Sequence, residues 1–575
     1  MGIITTNIAH CKDCYKCVRR CPLKAIRVIE GHAQVWDELC VHDGACINVC
    51  PQGAKKVESH IERVQTLLND RRPVIASVAP SFAAVWPNQV RTLPGILKQL
   101  GFAAVQETAV AAELVAREHK KELIARKQAE GPLPLITSSC PAVVELIEKH
   151  FPESVDLVAK VVSPMIFHGH MLKEHYGRDC RVVFLGPCVA KKAEMDINEH
   201  RGVIDAVLTF EELEELCADL PLELGKPAGD FALPHPSSAR LFPLEGGLIE
   251  TAGMDTSMLA GSIRAISGMQ ECIDFLQELR DNRQEHLEIV ELMACKNGCI
   301  GGPAISQTLH TEKRRQAVID WYQGAKDESA SEILAPARVP TRTYRSDTAA
   351  RLPEPPDEAI REILAQIGKF SSADELNCGA CGYNTCREKA VAVYHKAAEI
   401  DMCIPYMRKR AESLANVIMQ SIPNGIVVCN RDLNIVTLNP AAEHMFVCSL
   451  ENIKGKKLGY LIDPKYFRQA LSTQELTIVE VAYPNYHLTT KQYILYVEEQ
   501  DVVIGILVDI TQEQKQQAEL TTLRQETLVK AQEVIDKQMR VAQEIAGLLG
   551  ETTAETKVLL TRLSNYIREE GNGHG

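Results

Sequence analysis

Cysteine is the residue type through which this chain could do most of its chemistry, and its spacing is uneven. Cys11, Cys14, Cys17 and Cys21 stand in "CKDCYKCVRRCP", a C-x2-C-x2-C-x3-C-P run. Spacings of two let successive thiolates of one loop reach three corners of an iron–sulfur cubane, while the fourth cysteine crosses to a second cluster. A zinc knuckle pairs two C-x2-C halves and has no use for the trailing C-x3-C-P. Cys378, Cys381, Cys386 and Cys403 form another local group, C-x2-C-x4-C-x16-C. Its glycines permit a tight loop and an intervening helix would return the last cysteine; a [4Fe-4S] cluster is expected there ahead of zinc.

Four more thiols are far apart. Cys140 follows Ser139 in "ITSSCPAVVELIEKHFP", Cys188 precedes Lys191 and Glu194 in "FLGPCVAKKAEMD", and Cys295 and Cys299 follow Met293 in "VELMACKNGCIGGPA". These segments each come just after a short apolar, strand-like run ("LPLIT", "VVFLG", "IVELMA"). Loops at the carboxyl ends of strands in an open α/β sheet converge on one crevice, so distant segments can share one site. Cys180, Cys217 and Cys272 lack such flanks and read as core or surface thiols.

The elements that must position these groups belong to a chain of 575 residues, enough for roughly three to five domains. At 45% hydrophobic and 24% charged residues it is ordinary globular material. A net charge of −13 with no basic stripe argues against nucleic acid and anionic membrane as partners. No apolar run approaches a membrane span and the N-terminus lacks a secretory pattern, so a cytoplasmic location is expected. There, 20 cysteines suit metal ligation better than disulfides.

The N-terminal run resembles a bacterial two-cluster ferredoxin module, whose second half would be "CVHDGACINVCP". The resemblance implies one cluster on Cys11, Cys14, Cys17 and Cys50. The other would take Cys21, Cys40 and Cys46, with Asp43 or solvent where a cysteine belongs, and be either [4Fe-4S] or [3Fe-4S]. The segments around Cys140, Cys188 and Cys295 resemble the three signature motifs of the [FeFe]-hydrogenase catalytic domain. That resemblance implies an H-cluster: a [4Fe-4S] cubane on Cys140, Cys188, Cys295 and Cys299, with Cys299 bridging to a diiron unit carrying CO, cyanide and a dithiolate. Lys191 would bond one cyanide by a charge-assisted contact. Met293 would pack on the diiron unit, and Ala79, Pro80 and Ser81 would surround another cyanide. Gly301 and Gly302 would let backbone approach the inorganic core.

This chain departs from that family's pattern on the proton side. Ser139 replaces a cysteine that relays protons, and an alcohol is a far weaker acid than a thiol. His119 in "VAREHKKELIAR" replaces a glutamate, and Ala159 replaces a serine. By itself His119 reads as an exposed helix position; with Ser139 and Ala159 it points to a rerouted or slow proton path, with Glu122 and Arg126 kept at the outer positions. Gly186 replaces a methionine and is expected to open space beside the diiron site.

Residues 326–356 are rich in Pro, Arg and Ser and read as a linker. From about Glu412 the texture resembles a PAS domain, with closing strands "LTIVEVAYP", "YHLTTKQYILYVE" and "VVIGILVDIT". A polar helix follows whose Leu528, Ala531, Ile535, Gln538, Ala542, Ile545 and Leu549 keep 3–4 spacing, as in a coiled coil or bundle that could pair two copies. Gln543 stands where a phosphoacceptor histidine would, so output is expected to pass to a separate kinase or phosphatase.

The expected fold is multidomain α/β. It comprises a two-cluster ferredoxin-like module (1–59), an α/β catalytic domain (60–335), a small helical Fe–S domain (357–410), a PAS α+β domain (411–515) and a C-terminal coiled-coil helix (516–575). The expected function is slow, reversible oxidation of H2 to protons and electrons, read out as redox state through the Fe–S clusters. The alternatives are a metabolic hydrogenase exchanging electrons with ferredoxin, and a non-catalytic Fe–S scaffold.

Overall fold

The computed structural model describes residues 2–218, 229–254, 261–281, 286–305, 309–324, 333, 336–346, 352–549 and 553–570. Two compact units span 1–407 and 408–575.

The first unit opens with two short antiparallel ribbons, Ile4–Thr6 with Lys55–Val57 and Ile26–Ile29 with His32–Val35. Beside them lie the one-turn helices Lys16–Arg20 and Ala45–Val49. Next come two parallel sheets. One has four strands in the order Ala104–Glu107, Val74–Val78, Arg181–Gly186, Ala206–Thr209. The other has three, in the order Ile263–Ser267, Ile289–Met293, Leu135–Ile136. Each sheet has its own apolar core. All five residues of Val74–Val78 are buried, as a strand covered on both faces requires. The single open sheet expected from the sequence is therefore two sheets, and loops from both face one cavity.

Residues 336–346 correct the linker reading. Arg342 N–H donates to Lys160 O, Arg342 pairs with the carboxylate of Glu148, and Tyr344 donates its hydroxyl to Ala159 O. A part-buried ion pair and a half-buried tyrosine hold this stretch against residues 148–160. Its composition resembles a linker because the backbone there is extended rather than helical. Residues 326–332, 334–335 and 347–351 of that segment lie outside the described residues.

The unit ends in a small helical domain, with helices Asp357–Gln366 and Cys386–Tyr394 packed together. Thr385 caps the second helix by accepting from Glu388 N–H.

The second unit holds a five-stranded antiparallel sheet, ordered Ile435–Leu438, Gly425–Asn430, Val502–Asp509, Leu488–Val497, Thr477–Tyr483. Asn439 fixes the turn into helix Pro440–Met445: its Oδ1 accepts from Ile426 N–H and Ala442 N–H. After the sheet, Thr511–Leu549 is one long helix. A second helix, Thr553–Glu570, packs on it through Ser564 and Gln532, so the C-terminus is a helical hairpin, not one continuous helix.

Candidate functional site

The loops after five strands meet at one cavity of about 100 Å³. Ala79, Pro80 and Ser81 follow Val74–Val78; Thr108 follows Ala104–Glu107; Cys188 follows Arg181–Gly186; Ser139 and Cys140 follow Leu135–Ile136; Cys295 and Cys299 follow Ile289–Met293. Lys191 and Met293 complete the lining. The four thiols, drawn from residues 140 to 299, share this one wall.

Burial raises all four thiol pKa values, with neighbouring thiols adding to the effect at Cys188, Cys295 and Cys299. Cys188 is pushed up to about 12, and Cys140, Cys295 and Cys299 also lie above the ordinary range. Four such thiols are poor anions alone and good ligands to a cation that displaces their protons. Lys191 Nζ donates to Ser163 Oγ at 2.8 Å and Glu194 Oε2 at 2.7 Å, which fixes the ammonium at the rim.

Four buried oxygens on this cavity have no protein partner: Ser81 Oγ, Thr137 Oγ1, Ser139 Oγ and one oxygen of Glu291. A buried polar atom left unpaired costs about 1–3 kcal/mol, so several around one space mark a place for a polar guest. Thiolates for iron, an ammonium and hydroxyls for small polar ligands fit an iron–sulfur cubane joined to a diiron unit.

Glu291 escaped the sequence reading. Burial pushes its carboxyl up to about 8, and Leu248 N–H approaches the oxygen opposite the unpaired one at 3.4 Å. The signal was available: a lone acid inside the strand "IVELM". Thr108 was missed too. Leu233 O accepts from the Gln106 amide, so Gln106 Oε1 accepts from His168 Nε2. His168 Nδ1 must then accept from Ser77 Oγ, which accepts from Thr108 Oγ1. Burial lowers the His168 pKa to about 3, which keeps the ring neutral. One chain of hydrogen bonds thus orients the Thr108 hydroxyl from behind.

Other residues singled out from sequence stand elsewhere. His119 is wholly buried, not exposed. Its Nδ1–H donates to Val115 O, so Nε2 accepts from Ser138 N–H at 3.2 Å. Its pKa is lowered by burial. It braces the backbone beside Ser139 and does not line the cavity. Glu122 and Arg126 pair with each other, while Arg126 also donates to the carbonyls of Asp156, Leu157 and Val158 and Glu122 accepts from Lys160 N–H. These bonds clamp a loop. Gly186 opens no space: a Cβ there would lie 2.6 Å from the Phe184 ring, which itself lines the cavity. Gly301 answers a different need from the one expected, since a Cβ would sit 2.0 Å from Lys296 O; Gly302 does line the cavity.

In the N-terminal module Cys21, Cys40, Cys46 and Asp43 form one electrostatic group. Burial first, then repulsion from Asp43 and from one another, raises Cys21 to about 11 and Cys40 to about 12 and raises Cys46 further, while burial alone raises Asp43. Cys11 and Cys14 act together on Cys17, and Cys50 accepts from Ala54 N–H. Helix Pro141–His150, which starts beside Cys140, reaches the second group. Glu145 meets His42 Nδ1 at 2.8 Å, Lys149 Nζ donates to Cys40 O at 2.5 Å, and His150 Nε2 meets Leu39 O at 2.9 Å. Cys378, Cys381, Cys386 and Cys403 line a third, smaller hollow.

Comparison with known proteins accords with this geometry. Residues 72–303 match the family described as iron only hydrogenase large subunit, C-terminal domain. Residues 33–56 match a 4Fe-4S binding domain, 374–405 an Fe-S cluster family and 413–480 a PAS domain. The NADP-reducing hydrogenase subunit HndD of Solidesulfovibrio fructosivorans is 30% identical over 326 residues, 46% of this chain and 56% of that protein. Iron hydrogenase 1 of Clostridium pasteurianum is 26% identical over 368 residues, 52% of this chain and 64% of that one. The chain therefore spans less than two thirds of the length of either relative. The nuclear prelamin A recognition factor of Mus musculus is 29% identical over 172 residues, 25% of this chain and 37% of its own. Residues 72–303 are thus similar to the C-terminal domain of the iron only hydrogenase large subunit, beside segments similar to 4Fe-4S, Fe-S cluster and PAS domains.

Proposed function

We propose that the chain is a sensory [FeFe]-hydrogenase that oxidises H2 reversibly and slowly, and passes its redox state to the PAS and helical unit. The observation that carries this reading is the common cavity of Cys140, Cys188, Cys295, Cys299, Lys191 and Met293. The four cysteines would hold the cubane, with Cys299 shared with the diiron unit. That group, when bound, supplies heterolytic cleavage of H2. Lys191 holds a positive charge for an anionic ligand. Ser139 offers a hydroxyl where the family uses a thiol, so proton exchange at that point loses driving force. His119, neutral and already bonded at both ring nitrogens, keeps its proton on Nδ1. A slow proton side beside intact cluster ligands suits a detector more than a bulk producer.

The cytoplasm is the proposed location; no described helix is long and apolar enough to cross a membrane. A ferredoxin as redox partner, a kinase or phosphatase downstream and a homodimer through the C-terminal helices belong to the same proposal. The likeness to the nuclear prelamin A recognition factor favours a second reading, a non-catalytic iron–sulfur scaffold. Infrared spectra of maturated protein decide: CO and cyanide bands are expected, and a spectrum without them, from a sample with full cubane occupancy, leaves the scaffold. Hydrogen uptake well below that of a metabolic enzyme, at saturating H2, is the expected second result.

A further inference from the structure

The N-terminal module and the four-cysteine domain share a hydrogen-bonded interface. Lys24 Nζ donates to Gly382 O at 2.7 Å, Arg19 Nη1 to Ala380 O at 3.0 Å, and Val28 N–H to Ala397 O at 2.9 Å. The first two bonds reach the residues on either side of Cys381 from residues two and three positions from Cys21, and the third ties strand Ile26–Ile29 to the same domain. Gly382 has φ +97°, and a Cβ on it would lie 2.8 Å from Val18, so the two backbones meet as closely as glycine allows. Tyr383 is 3% exposed and belongs to one apolar cluster with Cys17, Val18 and Cys46, against which both Cys21 and Cys381 pack. The charges of Cys381 and Cys21 both act on the Tyr383 phenol, and the Lys24 ammonium lies 5.7 Å from its ring centre. Lys24 is held below its ordinary pKa by burial, against the pull of Cys21, Glu388 and Cys381. The loop of the first N-terminal group touches this interface as well, through Arg19 Nη2 and Cys14 O at 2.8 Å.

We propose that the four-cysteine cluster exchanges electrons with the second N-terminal cluster across the packed Cys21, Tyr383 and Cys381, with Lys24 as the cation that favours the reduced state of both. In that step one electron leaves one cluster and enters the other, and no bond or proton changes place. The electron comes from H2 under the function proposed above, on which the inference rests for its source alone. Cys403 directly precedes helix Ile404–Ser421, which continues into the stretch that matches a PAS domain. The four-cysteine site is thereby the last redox group before the second unit along the chain.

The test uses the full chain with its Fe–S clusters loaded, reduced by dithionite and examined by electron paramagnetic resonance. A spin–spin split signal is expected, lost in Cys386→Ser and in Cys46→Ser and kept in Cys14→Ser. Absence of splitting in the fully loaded wild type, or splitting that depends on Cys14 but not Cys46, overturns the proposed order. Lys24→Gln should lower the reduced-to-oxidised ratio of the four-cysteine cluster about tenfold at a fixed potential, and Lys24→Arg should restore it. An unchanged ratio removes Lys24 from the pathway. Splitting with dithionite but none under H2 leaves the cluster order standing and sinks the hydrogen reading.

Discussion

The cavity has two unlike sides. Toward the N-terminal module, helix Pro141–His150 carries charged and polar contacts from beside Cys140 to the backbone around Cys40. Toward helix Ala109–Gln128, the titratable groups are tied up: His119 is bonded by Val115 and Ser138, and Glu122 and Arg126 hold a loop. One side is thus tied by charged and polar contacts to the N-terminal module, and the other is held by the protein's own hydrogen bonds. Under the proposed function, that difference is the reason to expect slow proton exchange beside complete cluster ligands.

The comparison is broken most completely at the thiols. Cys299→Ser should abolish the CO and cyanide infrared bands and reduce H2 oxidation to background; persistence of those bands would falsify the ligand assignment. Residues 336–346 cover Ala159 and Lys160 through Arg342 and Tyr344. Glu148→Ala leaves Arg342 without its buried carboxylate and should cost about 3–5 kcal/mol in urea unfolding. A loss below about 1 kcal/mol would mean that the segment is not held there in solution.

Glu291 supplies a pH test. Its folded pKa, about 8, exceeds the ordinary carboxyl value, so the folded protein binds the extra proton between the two values. Stability of metal-free protein should therefore fall as pH rises from about 5 to 8, by on the order of a few kcal/mol. Glu291→Gln should flatten that slope; equal slopes for the two proteins would show that this carboxyl is not the group responsible.

Ser139→Cys restores a more acidic relay atom and should raise turnover about tenfold, equal to 1.4 kcal/mol, and shift the pH–rate profile. If neither rate nor profile moves, protons pass elsewhere, and the oriented Thr108 hydroxyl is the next position to vary. The smallest expected effect is that of His119→Gln. Loss of about 1 kcal/mol of stability with an unchanged pH–rate profile marks a brace; a changed profile would make His119 part of the proton route.

Part of this architecture is legible in the residues themselves. The N-terminal loops advertise themselves because their ligands are local: two-residue spacings set the reach of the thiolates within a single turn of chain. The cavity cysteines are legible by motif and order. His119 misleads through its charged neighbours "EHKK", although it continues the buried series Ala112, Val115 and Ala116 and leads to Leu123 at helical spacing. The extra space expected at Gly186 fails for a different reason. Which neighbouring ring fills a missing side chain depends on packing, and Phe184 does so from two residues away on the same strand.

What the sequence alone determined was the inventory: which thiols, which acids, and the turn chemistry that brings near neighbours together. Short spacings constrain geometry directly, because few backbone paths connect residues two or three apart. Only the tertiary structure decided which distant loops share a cavity, that His119 is sealed inside, and that Cys21 and Cys381 pack against one apolar cluster with Tyr383. Those outcomes depend on how sheets and helices pack, and packing is a property of surfaces assembled from the whole chain.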